Sequence, residues 1–119
     1  RRVLFRSNTD EALILNSEGR IIESSNSNIF IFKNDGFITP PLSEGCIEGV
    51  LRRNLILIML KNGISVKEQP ITKAELMVSN EILLCNIIRG VQWVSQFNGK
   101  IYRSKHADRF NKILNELTI

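Results

Sequence analysis

Apolar residues fall in short runs separated by turn residues, and two longer stretches carry helical spacing. Residues 12–15 (Ala-Leu-Ile-Leu) form a first strand ending at the turn signal Asn16-Ser17-Glu18-Gly19. Ile21 and Ile22 open a second strand, and residues 24–28 interrupt it with small polar side chains. Strand character resumes over residues 29–32 and stops at Asn34-Asp35-Gly36, a tight hairpin signal. Residues 37–39 return, and Pro40-Pro41 ends that strand because proline cannot donate to a ladder. The first third therefore predicts a β-meander.

A loop over residues 42–48 leads into a Leu- and Ile-rich helix from about residue 49 to 61, which Asn62-Gly63 terminates with Gly63 in the left-handed C′ position. Residues 66–69 predict a short strand. Thr72-Lys73-Ala74-Glu75 has the form of a capping box opening a brief helix. The unbroken apolar run 82–85 predicts a strand buried on both faces. Residues 91–97 predict another strand, with Trp93 and Phe97 in the core, and Asn98-Gly99 turns the chain into residues 100–102. A last helix runs from about residue 105 to 117, with Phe110, Ile113, Leu114 and Leu117 at helical spacing and His106 as a solvated residue near its start. The pattern is that of one mixed α+β domain.

At 119 residues the chain is long enough for one domain with its own core. The longest apolar stretch, residues 55–60, is too short to span a bilayer, and no apolar segment follows the basic N-terminus to make a signal peptide. Cys46 and Cys85 lack metal-ligand spacing and are expected as reduced, partly buried thiols of a cytoplasmic protein. The net charge of +4 depends on Arg1, Arg2 and Arg6; without them 13 basic residues face 12 acidic ones, a net of +1. No basic stripe with interleaved aromatics remains, so a nucleic-acid partner is not expected, nor a membrane. Arg-Val-Leu-Phe-Arg-Ser at residues 2–7 matches one reading frame of a common sequencing adapter, so residues 1–7 are expected to be non-native and residues 8–119 to be the domain proper.

Three segments offer chemistry. Glu23 precedes five small polar residues, Ser24-Ser25-Asn26-Ser27-Asn28, whose short side chains suit close approach of a polar ligand. Alone, they read equally as an exposed strand glutamate followed by a turn. Gly49-Val50-Leu51-Arg52 opens a helix, whose free amides and partial positive charge can hold a phosphate. It is not a P-loop, since the GxxxxGK[ST] spacing is absent. Cys85-Asn86-Ile87-Ile88-Arg89-Gly90 joins a buried strand to the next, a usual place for a ligand contact and equally a plain connecting turn.

Together and in this order, the segments resemble the fold-type IV pyridoxal-phosphate (PLP) enzymes, the class IV aminotransferase family. Glu23 with Asn28-Ile29-Phe30 is similar to the family pattern E-x-x-x-x-N-[ILV]-F, and Thr39-Pro40-Pro41-Leu42 with Gly49-Val50-Leu51-Arg52 to TP-x-L…G-[IV]-x-R. Asn86-Ile87-Ile88 is similar to the strand end that faces substrate. The resemblance implies the C-terminal domain of the D-amino-acid aminotransferase-like fold, a mixed β-sheet or pseudo-barrel with flanking helices. It implies that Glu23 pairs with the pyridine nitrogen of PLP and that Gly49, Val50 and Leu51 hold the phosphate. Asn26, Ser27, Asn86 and Ile87 would lie near the cofactor, and Ile87 and Ile88 near a small-molecule amino substrate.

Many transaminases of the family carry Thr where this chain has Leu51, and the Cys85-Asn86 pair looks like the aminodeoxychorismate lyase branch. That branch releases pyruvate from 4-amino-4-deoxychorismate to give 4-aminobenzoate in folate biosynthesis, by imine formation, proton abstraction and elimination. A branched-chain or D-amino-acid transaminase is the alternative, and a non-catalytic α+β binding module with Glu23 at the surface is the competing reading outside enzymes. The family's Schiff-base lysine lies further upstream of the glutamate than this chain extends, and all seven lysines here follow Glu23. The chain is therefore expected to be an incomplete piece lacking an N-terminal domain, inactive alone, from an active parent that the resemblance implies is a homodimer.

Overall fold

The computed structural model describes residues 12–117, and residues 2–6 as backbone. Strands β1 (Arg2–Arg6), β2 (Ala12–Leu15) and β3 (Ile21–Ser24) form an antiparallel sheet in that order. β4 (Asn28–Lys33) and β5 (Gly36–Thr39) belong to a second sheet. The chain then passes through α1 (Val50–Lys61), β6 (Val66–Glu68), α2 (Lys73–Val78), β7 (Glu81–Asn86) and β8 (Gly90–Trp93). This sheet has the order β6-β5-β4-β7-β8, parallel only between β5 and β6, which α1 connects. A small hairpin of β9 (Gln96–Phe97) and β10 (Lys100–Ile101) leads to α3 (Ala107–Leu117).

Strand periodicity splits the core between the two faces of the five-stranded sheet. Ile29 and Ile31 of β4, with Ile82 and Leu84 of β7, join Leu13, Leu15, Ile21, Leu76 and Phe97 on one face. Their neighbours Phe30, Leu83 and Cys85 join Leu51, Leu55, Met59 and Phe110, from α1 and α3, on the other. Two-sided burial explains why residues 82–85 are apolar without alternation. Each large side chain so buried contributes roughly 1.5–3 kcal/mol.

Much of the local reading holds. Thr72 and Glu75 make the reciprocal capping box. Gly63 takes a φ of 72° after the Asn62 cap. In the first hairpin, Asn34 and Asp35 take the positive φ angles (53° and 66°), while Gly36 is already paired with Lys33.

Four expectations are corrected. The first third is not one meander, because β3 and β4 do not pair: after β3 the chain leaves one sheet for the other, and β4 lies between β5 and β7. The strand expected over residues 91–97 is broken. Val94 N–H makes the last ladder bond, to Ile82, and the chain then bends so that Gln96 and Phe97 pair with residues 100 and 101 instead. Phe97 is buried as expected, but Trp93 is 42% exposed because it lies on β8, at the sheet edge. His106 is not a solvated helix residue. Its Nδ1 lies 2.7 Å from Glu81 Oε2, and its ring packs against Phe32, Phe37 and Phe110 with centroids 4.7–5.9 Å apart.

Arg2–Arg6, expected to be foreign, runs antiparallel to β2 at the edge of its sheet. Edge pairing uses backbone groups and accepts almost any extended sequence, so it says nothing of origin. Residues 1 and 7 of that segment lie outside the described residues.

Candidate active site

Because β4 runs antiparallel to β7, the start of one lies beside the end of the other, with Asn28 opposite Cys85. The end of β3 reaches the same place through a tight turn in which Ser24 N–H donates to Ser27 C=O at 2.8 Å. The loop after β5 brings the N-terminus of α1 there as well. Between these elements is a cavity of about 300 Å³. Every residue expected at the cofactor lines it: Glu23, Asn26, Ser27, Gly49, Val50, Leu51, Asn86 and Ile87. Ile88 does not. It is 91% exposed and lines an adjoining groove of about 440 Å³ between α1, the turn after β7, and α3.

Glu23 is 4% exposed, which removes the reading of it as a surface group. Its Oε1 accepts from Ile47 N–H at 2.9 Å. Burying a carboxylate is costly without such donors, and the Ile47 N–H supplies one at the cavity wall. At the other side stands the start of α1. Gly49 is its N-cap, and no side chain caps the helix. Helical geometry leaves the first-turn amides without intrahelical acceptors and places partial positive charge there. A Cβ at residue 49 would stand 2.5 Å from Asn28 Oδ1, so any larger residue there would displace the Asn28 side chain.

Asn86 shapes the wall. Its Nδ2 donates to Ser27 Oγ at 3.0 Å, and its Oδ1 accepts from Ile88 N–H at 3.0 Å and Arg89 N–H at 2.7 Å. The side chain thus folds the turn after β7, leaving backbone and Ile87 to face a ligand. Burial pushes the Cys85 thiol up to about 12, so it lines the cavity as a neutral apolar group. Arg52 turns away from the cavity: 3% exposed, it reaches Pro40 C=O at 3.1 Å and Glu68 Oε1 at 2.7 Å, bracing the loop before α1. No lysine lines the cavity among the described residues.

Sequence reasoning did not single out Ile47, and it took Ser24, Ser25 and Asn28 only as members of the small polar run, Asn28 also as part of a pattern. Ile47 contributes its peptide group, which leaves no mark in the sequence. Asn28 was findable, as a polar residue opening an otherwise apolar strand.

The family described as Amino-transferase class IV matches residues 5–97. A Methanocaldococcus jannaschii protein provisionally named a branched-chain-amino-acid aminotransferase is 30% identical over 107 residues, which are 90% of this chain and 37% of that protein. The aminodeoxychorismate lyase of Vibrio harveyi is 32% identical over 85 residues, covering 71% of this chain and 31% of the lyase. Among solved structures, the branched-chain aminotransferase of Thermoproteus uzoniensis with norvaline superposes with a TM-score of 0.87 at 30% identity, covering 91% of this chain and 37% of that one. A Brucella abortus aminotransferase bound to PLP shares the fold, with a TM-score of 0.86 at 20% identity over 91% of this chain and 39% of its own. The chain thus spans well under half the length of each of these proteins.

Proposed function

This chain belongs to the class IV amino-transferase family, and on that premise we propose that its cavity holds pyridoxal 5′-phosphate for chemistry on a small amino substrate. The observation behind this is the pairing of a buried carboxylate, Glu23, with an uncapped helix start at Gly49 across one cavity of about 300 Å³. That volume is at the lower end of small-ligand sites. The residues fit the group, which has a basic ring nitrogen at one end and a phosphate at the other. Bound there, PLP would supply an electron sink for the substrate carbon next to the amine.

Glu23 would hold a proton on the ring nitrogen, with Ile47 N–H fixing the carboxylate's orientation. The amides of Val50 and Leu51 would bind the phosphate, Leu51 having no hydroxyl to add. Asn86 keeps the turn after β7 closed, so that Ile87 and its backbone form the wall. The exposed Ile87 and Ile88 would meet the substrate or the segment that covers it. The amine needed for covalent chemistry would come from outside the described residues, and a homodimer of the complete protein is part of the same proposal.

Between reactions, Leu51 and the Cys85-Asn86 pair favour the lyase that forms 4-aminobenzoate. A second reading, a branched-chain transaminase, is favoured by the relatives so named. The carrying test is PLP binding by fluorescence quenching and ³¹P NMR. The expected result is saturable binding that Glu23→Gln weakens about tenfold. Absence of saturable binding, or an unchanged affinity in Glu23→Gln, would overturn the cofactor assignment. Release of 4-aminobenzoate against 2-oxoglutarate-dependent amino transfer, measured on the complete protein, separates the two reactions.

A further inference from the structure

The peptide unit of Ile47 is held from both sides. Its N–H donates to Glu23 Oε1 at 2.9 Å, and its C=O accepts from Asn28 Nδ2 at 2.7 Å. Glu23 and Asn28 stand on either side of the small polar turn, one near the end of β3 and the other opening β4. The Ile47 carbonyl also accepts from Gly49 N–H at 3.1 Å, so the same peptide is tied to the N-cap of α1. Asn28 Oδ1 presses on that N-cap so closely that a Cβ at residue 49 would come within 2.5 Å of it. One amide side chain therefore touches both the peptide that orients the carboxylate and the residue that opens the helix.

We propose that Asn28 is a positioning residue which, through the Ile47 peptide, sets the spacing between the Glu23 carboxylate and the first amides of α1. This inference rests on the cofactor reading above. The physical reason is preorganisation. A ligand gripped at two ends gains fully from both grips only if their separation is already correct; otherwise part of the binding free energy goes into ordering the site. Glu23 on β3 and the start of α1 are separated along the chain by β4, β5 and a loop with a 3₁₀ turn at Leu42–Glu44. The contacts through Ile47 and Asn28 connect them directly. Asn28 needs to reach neither end of the ligand to do this.

A spacing role has a signature that a general loss of structure lacks: it affects only ligands that engage both ends. The test measures affinity of the 119-residue chain for three probes, PLP, pyridoxal without phosphate, and inorganic phosphate, by ³¹P NMR and fluorescence. Asn28→Ala is expected to weaken PLP about tenfold while changing pyridoxal and inorganic phosphate by less than twofold. Gly49→Ala, which keeps the amide but displaces the Asn28 side chain, is expected to give the same PLP-selective loss. The double variant should be no worse than the poorer single one, since both break one contact. If Asn28→Ala does not fold, the selectivity of Gly49→Ala decides. Equal losses for all three probes, or an unchanged PLP affinity in a variant that folds, would overturn the spacing role while leaving the cofactor reading intact. Failure of the wild-type chain to bind PLP would instead remove the cofactor reading itself.

Discussion

Removing the Glu81 carboxylate should loosen the last helix, and the structure sets the size of the effect. Glu81 is 2% exposed on β7. Its Oε1 accepts from Ser104 Oγ at 2.8 Å, Lys105 N–H at 3.1 Å and His106 N–H at 3.4 Å, and its Oε2 lies 2.7 Å from His106 Nδ1. Ser104 Oγ in turn accepts from Ala107 N–H at 3.1 Å. One carboxylate thus satisfies the entry to α3, as a negative charge at a helix start should. Glu81→Ala leaves His106 Nδ1, whose ring packs among Phe32, Phe37 and Phe110, without its partner, at a cost of about 2–3 kcal/mol, as for a buried polar group left unsatisfied. Glu81→Gln keeps the volume and one acceptor oxygen and should cost about 1–2 kcal/mol, near the net worth of one or two hydrogen bonds. With a urea m-value of about 1.5 kcal/mol/M, typical of a small domain, Glu81→Ala should lower the midpoint by roughly 1.3–2 M. The assay is urea unfolding followed by tryptophan fluorescence and circular dichroism. A Glu81→Ala midpoint within about 0.5 M of wild type, with m unchanged, would refute the reasoning.

Two further outcomes are expected. Burial raises the Cys85 thiol to about 12, so its contribution to stability is present below the unfolded thiol's value near 8.5 and is lost as pH rises from there toward 12. In a Cys46→Ser background, folded protein at pH 8 should therefore react with a thiol reagent far more slowly than unfolded protein, and comparable rates would contradict this. Thr72→Ala removes the capping box of α2 and should lower stability by about 1 kcal/mol in the same urea assay.

Legibility in the sequence followed the range of the forces involved. Capping at Thr72 and Glu75, termination of α1 at Asn62-Gly63 and the turn at Asn98-Gly99 depend on a few adjacent residues, and each was readable because local backbone geometry selects those side chains. The two-sided burial of residues 82–85 was readable because continuous apolarity has no other use in so short a strand. The three segments that line the cavity were recognisable from their order along the chain, each being weak alone.

Tertiary structure alone decided the division of the first strands between two sheets, since the sequences of β3 and β4 carry no label for the partner each will choose. It decided the fate of His106 too: the pattern showed a histidine near a helix start, whereas its carboxylate lies 25 residues away on β7. And it decided the clamp on Ile47, made from a backbone amide and carbonyl that every residue but proline possesses. A chain can advertise side chains and periodicity, but which peptide groups meet across its loops is settled only when the elements pack.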